Sequence, residues 1–441
     1  MLTLPEDMEE KLEQATALLD DNDKFRIITH YDADGITSAA VLVRALMKEQ
    51  KGFHTTFVSS FPDKIPKGLP IIFTDIGNSH LKTIKDNTAS AIVLDHHNVE
   101  DDIEGDENHV FINPHSYGID GAREVSGGTL TFLLTIYHNK SNWANVFYGL
   151  AGAAADKQNI GGFIGLNKQI VDTAIEKSVL NKKKGLYIDG DGLKDALMKA
   201  GDPYFPEISG RKFKIEKLID KIDLDPETSV LDLSSDKDRR LTSILVLSLL
   251  KRNIPHHVIE SIKGPHYLNN DEDIDIELLY KLLNSCARTN KAGLGLSICL
   301  GDRSAIEKGR EIRKDYRERM IERLNQLEDE GIKKKNNIQY FFEKKKERKG
   351  ELAGLGMLYL FDQRYPTFGM TEVDGEIDLS ARGTKSMIEK GLDLGKLCRI
   401  IAEKHGGSGG GHDIAAGATI PKKNLEQFLD KMDREVGKIL T

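Results

Sequence analysis

Short runs of consecutive apolar residues alternate along this chain with longer stretches in which apolar positions recur at helical spacing. Residues 5–20 follow the helical pattern and predict a short amphipathic helix. Lys24–His30 is an apolar run ending in polar residues, and a strongly apolar stretch from Gly35 through Met47 predicts a buried helix after it. Pro70–Gly77, Ala89–Asp95 and His109–Pro114 repeat the strand-like run. Continuous apolar strands separated by helical lengths indicate a parallel α/β sheet covered on both faces.

From Val125 to Val179 the pattern is helical, with small residues dominating Gly149–Ala155. Residues 186–285 read as a separate, mostly helical segment, with Gly185, Gly190, Gly192, Pro203 and Pro206 marking turns at its start. Glu307–Glu330 predicts a long charged helix able to span two lobes. Asn337–Phe342 and Met357–Phe361 read as strands, and Glu372–Leu379 as a hairpin turning at Asp374-Gly375. The chain then closes with a Gly-rich loop and a helix, so a smaller α+β domain is expected at this end. No internal repeat is visible.

With 441 residues the chain exceeds one ordinary core, and two or three domains are expected. Hydrophobic content of 39% and a mean hydropathy of −0.40 describe a globular protein with ample core. No apolar run approaches the ~18 residues of a membrane span. The opening MLTLPEDMEEKLEQ has neither a basic nor an apolar leader region, so a cytoplasmic protein is expected. Cys286, Cys299 and Cys398 lack C-x-x-C spacing, which excludes a disulfide framework and a cysteine zinc knuckle. The formal charge of −8 is unpromising for a nucleic-acid binder. Lysines nevertheless bunch at 182–184, 333–335 and 344–349. Each bunch is either a solvated face or a track for phosphates.

Position distinguishes the acids. The first three strands end in His30, Asp32 and Asp34, in Asp75, and in Asp95-His96-His97. Ligands of a parallel sheet bind outside the carboxyl ends of its strands, so these side chains converge on one edge. Carboxylates packed so densely repel one another, and a pair of divalent cations relieves the repulsion. Mixed Asp/His ligation suits Mn²⁺, Mg²⁺ or Zn²⁺. Taken singly, each acid could equally be a helix cap or a turn residue.

The set His30-Tyr31-Asp32-Ala33-Asp34-Gly35, Asp75, Asp95-His96-His97 and Asp156 in Ala153-Ala154-Ala155-Asp156-Lys157 resembles the four motifs of the DHH phosphoesterase superfamily. Gly409-Gly410-Gly411-His412-Asp413-Ile414-Ala415-Ala416-Gly417 resembles the signature of its DHH-associated domain. Leu283–Arg288, Leu300-Gly301-Asp302 and the 186–285 segment are similar to the archaeal RecJ-like branch in particular. The resemblance implies an N-terminal parallel-sheet metal-binding domain over residues 1–180, a helical insert over 181–285 and a substrate-binding α+β domain over 286–441. It assigns His30, Asp32 and Asp75 to one metal and Asp34, Asp75, His96 and Asp156 to the other, with Mn²⁺ or Mg²⁺ as the ions. Asp95 then orients neighbours and His97 touches the scissile phosphate or the leaving oxygen. The sequence places His30 two positions before Asp32, where some relatives have the histidine three before.

A glycine run is costly to order, but its N–H groups can approach an anion closely. With Ser380, Arg382, Gly409, Gly410, Gly411 and His412, it is expected to hold substrate. The resemblance implies a two-metal exonuclease on single-stranded DNA or RNA, serving DNA replication or repair, with the GINS complex as an associated partner and no membrane. Two other readings stand beside it. One is a hydrolase of short oligonucleotides or cyclic dinucleotides, which has no need of the 186–285 insert. The other is a replicative-helicase scaffold bound to GINS, which could dispense with the aspartates.

Overall fold

In the computed structural model, residues 2–98, 103–269 and 275–440 are described. Helix α1 (Glu6–Asp20) buries Met8, Leu12, Ala15 and Leu19, one stripe at helical spacing. Then follow β1 (Lys24–His30), α2 (Ala33–Lys48), β2 (Gly52–Val58), β3 (Ile71–Thr74), α3 (Leu81–Asn87), β4 (Ala91–Leu94) and β5 (His109–Ile112). The five strands form one sheet in the order β2-β1-β3-β4-β5, and every pairing is parallel. The four apolar runs are its interior and far edge. The edge strand β2 escapes the apolar-run pattern because its residues are only half-buried or exposed.

Helices α4 (Gly127–His138), α5 (Val146–Ala155) and α6 (Gly165–Glu176) follow. α2, α4 and α5 pack on one another, and nearly all of their residues are buried. A helix apolar on all sides is an interior helix. Opposite, Ile28, Ile71, Phe73 and Val93 pack with Leu81 and Ile84 of α3. All strands therefore point their carboxyl ends at one edge between covered faces.

Strand β6 (Leu180–Leu186) leads to α7 (Leu193–Met198), α8 (Lys212–Lys221), α9 (Ser235–Leu250) and α10 (His256–Glu260), then to β7 (Lys263–Asn269), which pairs with β6. Next come α11 (Ile276–Arg288), α12 (Ala292–Cys299) and α13 (Arg303–Glu330), the long charged helix. The chain ends with β8 (Lys333–Lys334), β9 (Gln339–Phe342), α14 (Lys349–Tyr359), β10 (Thr367–Val373), β11 (Glu376–Arg382), α15 (Lys385–Glu389), α16 (Leu394–Lys404), β12 (Ser408–Gly411), β13 (Ala415–Pro421) and α17 (Leu425–Leu440). These strands form a six-stranded mixed sheet, β12-β13-β11-β10-β9-β8. Packing resolves two compact units: 1–185 with 263–315, and 186–262 with 316–441. Residues 263–285 thus add β7 and most of α11 to the first unit, while α7 to α10 belong to the second. All three cysteines are buried and none is in a disulfide.

Two local expectations are corrected. Met357–Phe361 is not a strand, since Met357 to Tyr359 end α14. Leu352, Leu355 and Tyr359 are buried at i, i+3 and i+7, and a short apolar run cannot separate strand from helix. The glycine run is not a loop: Ser408–Gly411 is an edge strand antiparallel to β13. Its glycines also serve packing. A Cβ on Gly409 would lie 2.7 Å from the Cys398 carbonyl oxygen on α16, and one on Gly407 would overlap the Thr419 carbonyl.

Candidate metal centre

The turn from β1 into α2 sets the first ligands. Asp32 is the N-cap of α2 and accepts from Gly35 N–H at 3.0 Å. A Cβ on Gly35 would overlap the His30 carbonyl, so this tight turn requires glycine. Asp34, in the first turn of α2, is buried and clasped by the N-terminus of α4. Ser126 Oγ donates to its Oδ1 at 2.9 Å, Gly127 N–H to Oδ2 at 2.7 Å and Gly128 N–H to Oδ1 at 2.9 Å. A Cβ on Gly128 would lie 3.0 Å from Asp34 Oδ1, and one on Gly152 of α5 would overlap it. The positive end of the α4 dipole faces this carboxylate. The motif reading missed Ser126, Gly127 and Gly128, although Ser-Gly-Gly-Thr before an apolar run is a legible helix start.

Asp75 and Asp95 each continue the ladder one residue past their strands, donating N–H to the Leu94 and Ile112 carbonyls. Asp75 has φ +57°, left-handed backbone that aspartate tolerates better than most residues. Asp95 Oδ2 accepts from Asn78 N–H at 2.8 Å, while its Oδ1 pairs with His97 Nδ1 at 2.7 Å. Asn78 and Asn113, also missed from the sequence, donate to the His97 carbonyl and fix this corner. His96 Nδ1 lies 2.6 Å from the Gly121 carbonyl. Because a carbonyl only accepts, Nδ1 carries the proton, and in the neutral ring Nε2 is left as an electron-pair donor. That Nε2 lies 3.2 Å from Asp75 Oδ1, 3.3 Å from Asp156 Oδ2 and 3.5 Å from Asp34 Oδ2. Asp156 reaches it from the C-cap of α5. On the other side, His30 Nδ1 lies 2.9 Å from Asp32 Oδ2 and 3.8 Å from Asp75 Oδ2.

Among the described residues, ligand atoms gather within 4.8 Å in three overlapping groups: His30, Asp32 and Asp75; Asp34, His96 and Asp156; Asp75, His96 and His97. Asp75 belongs to two of them. Burial, then the charges of Asp34, Asp32, Asp156 and Asp95, push the Asp75 carboxyl well above its ordinary value. Burial and the neighbouring Asp34 push Asp156 up to about 8. Burial also raises Asp34 despite its three donors. Asp32 goes the other way: burial is the largest single influence and raises it, but the hydrogen bond to His30, the His30 charge and the Gly35 N–H together hold it below its ordinary value. Asp75 Oδ2 and His96 Nε2 are buried without a hydrogen-bond partner. Orphaned electron-pair donors amid mutually repelling carboxylates fit divalent cations.

The second unit collects the other expected residues. Ser380 and Arg382 share one face of β11. The position of a Cβ on Gly350, at the start of α14, is 3.0 Å from Arg382 Nη2 and 3.3 Å from Ser380 Oγ. Arg382 is half-buried, its guanidinium donates to the Ala381 carbonyl at 2.9 Å, and burial lowers its pKa. Ser380 and Gly410 both stand opposite Gly417 of β13, and Arg382 stands opposite Ala415, whose carbonyl accepts from His412 N–H. Sheet register thus brings Ser380, Arg382, Gly410, Gly411 and exposed His412 to one end of the sheet. Gly409 differs, since α16 fills the space beside it. A Cβ on Gly410 would meet nothing within 4 Å.

Of the remaining histidines, His256 and His257 are exposed, and His256 pairs with Glu260. No helix among the described residues is long and apolar enough to cross a membrane.

Residues 24–155 match the DHH family, N-terminal domain, and residues 336–438 match the DHHA1 domain. An uncharacterized protein of Methanocaldococcus jannaschii is 32% identical over 94% of both chains. The fold is similar to CDC45 from Entamoeba histolytica, with TM-score 0.67 and 11% identity over 99% of this chain and 100% of that one. It is also similar to RecJ from Thermus thermophilus in complex with Mn²⁺, with TM-score 0.54 and 15% identity over 99% of this chain and 56% of that one. With both domain matches in order and a relative aligned over 94% of both chains, the chain belongs to the DHH phosphoesterase superfamily, and its fold is RecJ-like.

Proposed function

We propose that this protein is a two-metal-ion phosphodiesterase, a RecJ-like exonuclease on single-stranded DNA or RNA that serves DNA replication or repair in the cytoplasm, with the GINS complex as a partner. The observation that carries the reading is the convergence of His30, Asp32, Asp34, Asp75, His96 and Asp156, with Asp75 Oδ2 and His96 Nε2 buried and unpartnered. His30, Asp32 and Asp75 would hold one ion, and Asp34, Asp75, His96 and Asp156 the other. Two such ions, Mn²⁺ or Mg²⁺, supply Lewis acidity toward a phosphodiester and permit attack by water near neutral pH.

The chain's own residues do the rest. Gly121 holds His96 in its ligating tautomer. The α4 N-terminus keeps Asp34 in one orientation. Asp95 grips His97 Nδ1 and, chiefly through that hydrogen bond, raises its pKa, so the half-exposed ring offers a proton at Nε2 to a phosphate or leaving oxygen. Arg382, Ser380, His412 and the Gly410-Gly411 backbone would grip a phosphate of the strand. A pure scaffold has no use for this complete set of ligands.

The test uses end-labelled single strands of DNA and of RNA, incubated with Mn²⁺, with Mg²⁺ and with EDTA. Stepwise shortening that needs a divalent ion supports the reading. Strands left intact under every condition, with dinucleotides cleaved, would transfer it to the small-substrate class.

A further inference from the structure

On the first unit, a cavity of about 380 Å³ opens between the Gly161-Gly162 turn, α6 and the β6–β7 pair. That size falls in the ~300–1,000 Å³ range of small-molecule sites. Its floor is aromatic: Phe163 and Tyr267 are buried, with ring centroids 5.5 Å apart. Its rim is cationic. Lys182 and Lys184 are both exposed and share one face of β6, and Lys168 joins them from α6, paired with Asp172. Lys182 Nζ stands 5.8 Å above the Tyr267 ring. Burial, then the charge of Asp172, pushes the Tyr267 hydroxyl up to about 12, so the phenol stays neutral beside an anion. Gly161 and Gly162 have φ +80° and +102°, and a Cβ on either would meet nothing within 4 Å. Their backbone conformation selects glycine, and the mouth beside them is open.

An aromatic floor of two rings tilted by 39° to each other, beside a cluster of lysines, matches a ligand that is aromatic at one end and anionic at the other. We infer that this cavity is a nucleotide subsite separate from the metal centre, taking a base against Phe163 and Tyr267 and its phosphate on Lys182 and Lys184. The nucleotide can come free or as one unit of a strand. Gly161 follows Asp156 by five residues, so their Cα atoms lie at most ~18 Å apart along an extended chain. A strand engaged at the metal centre can therefore reach the cavity. The site itself does not depend on the nuclease reading.

The test uses the full-length protein in EDTA, where no metal-dependent cleavage interferes. The probes are 5′-AMP and a labelled oligothymidylate of ~12 nucleotides. Replacing two phosphate-binding lysines, in Lys182→Ala/Lys184→Ala, should weaken oligothymidylate binding about tenfold and reduce the salt slope by about 1.4. Tyr267→Leu keeps an apolar floor but removes the ring. It should weaken binding about tenfold with the salt slope unchanged. Loss confined to the oligonucleotide assigns the site to strands, and loss of both probes assigns it to free nucleotides as well. Unchanged binding in the lysine variant, or a loss that a folded Tyr267→Leu protein does not share, overturns the inference. If Tyr267→Leu does not fold, acetylation of the wild-type protein decides. Ligand should protect Lys182 and Lys184 but not exposed Lys221, and the absence of that protection is equally fatal. Failure of the nuclease reading would show separately, as strands left uncut with Mn²⁺ and Mg²⁺.

Discussion

At the scale of single residues, Asp75 carries the largest conflict. It is buried, held in left-handed backbone, and surrounded by Asp32, Asp34, Asp95 and Asp156. Its carboxylate is thus unfavourable in the metal-free protein and favourable once cations are bound. Asn also tolerates this backbone, so Asp75→Asn is a gentler probe than alanine. In EDTA the variant should melt at or above the wild type. With Mn²⁺ the wild type should gain stability that the variant does not. Metal-dependent hydrolysis should fall at least ~10³-fold, as when other transition-state charge stabilisers are removed. A thermal melt with and without Mn²⁺, together with a rate, checks all three. Retained activity would remove Asp75 from the centre. His30, Asp32, Asp34, Asp75 and His96 stand out in the sequence because polar side chains interrupt apolar strands at their ends, whereas Asp156, at a helix C-cap, stands out only through the motif resemblance; the structure gathers the ligand atoms of all six. Ser126 and Gly127 are legible only as a helix start, and Asn78 and Asn113 not at all, because hydroxyl, backbone and amide contacts to the ligands carry no ligand pattern.

At the scale of elements, the glycines divide by what faces them. Gly409 and Gly410 are neighbours in β12, yet only Gly410 has open space where a side chain would go. Gly409→Ala should therefore destabilise the second unit by about 1–3 kcal/mol, the usual cost of overpacking. Gly410→Ala should leave the melting temperature nearly unchanged and act on substrate affinity. Arg382→Ala should weaken binding about ten- to a hundredfold, equivalent to roughly 1.5–3 kcal/mol for a charge-assisted contact. Mn²⁺ stabilisation should persist in both Gly410→Ala and Arg382→Ala. If either variant loses it, the face bearing Ser380 and Arg382 is structural rather than substrate-binding. The same contrast explains what periodicity could and could not disclose. The buried strands β1, β3, β4 and β5 announce themselves by apolar runs. Strand β2 does not, because its residues are half-buried or exposed, unlike those of the other edge strand, β5. Strand β12 does not, because its glycines answer to α16 and β13 rather than to strand propensity. Met357–Phe361 misleads because the end of α14 is locally as apolar as a strand.

At the scale of the whole molecule, the question is whether substrate length matters. Of the lysine bunches, the structure commits much of 333–335 and 344–349 to internal partners. Lys335 pairs with Glu426 and Asp430, and Lys346 and Lys349 both pair with Asp378. Lysines already neutralised release few counterions, so the phosphate track suggested by the sequence shrinks mainly to Lys182 and Lys184. A polymer crossing the first unit should still show a salt slope, at about −0.7 per phosphate on a single strand. The slope should be that of a few contacts rather than of a long basic channel. Affinity should rise with length over several nucleotides and then level off. A dinucleotide enzyme would bind a two-nucleotide substrate as tightly as a long strand, with a shallow slope at every length. Dissociation constants for strands of ~2 to ~20 nucleotides at two salt concentrations, measured on Asp75→Asn protein to prevent cleavage, separate the two. If two-nucleotide ligands bind as tightly as long strands, the helical stretch 186–262 has no role in holding substrate, and the exonuclease reading gives way to the small-substrate one.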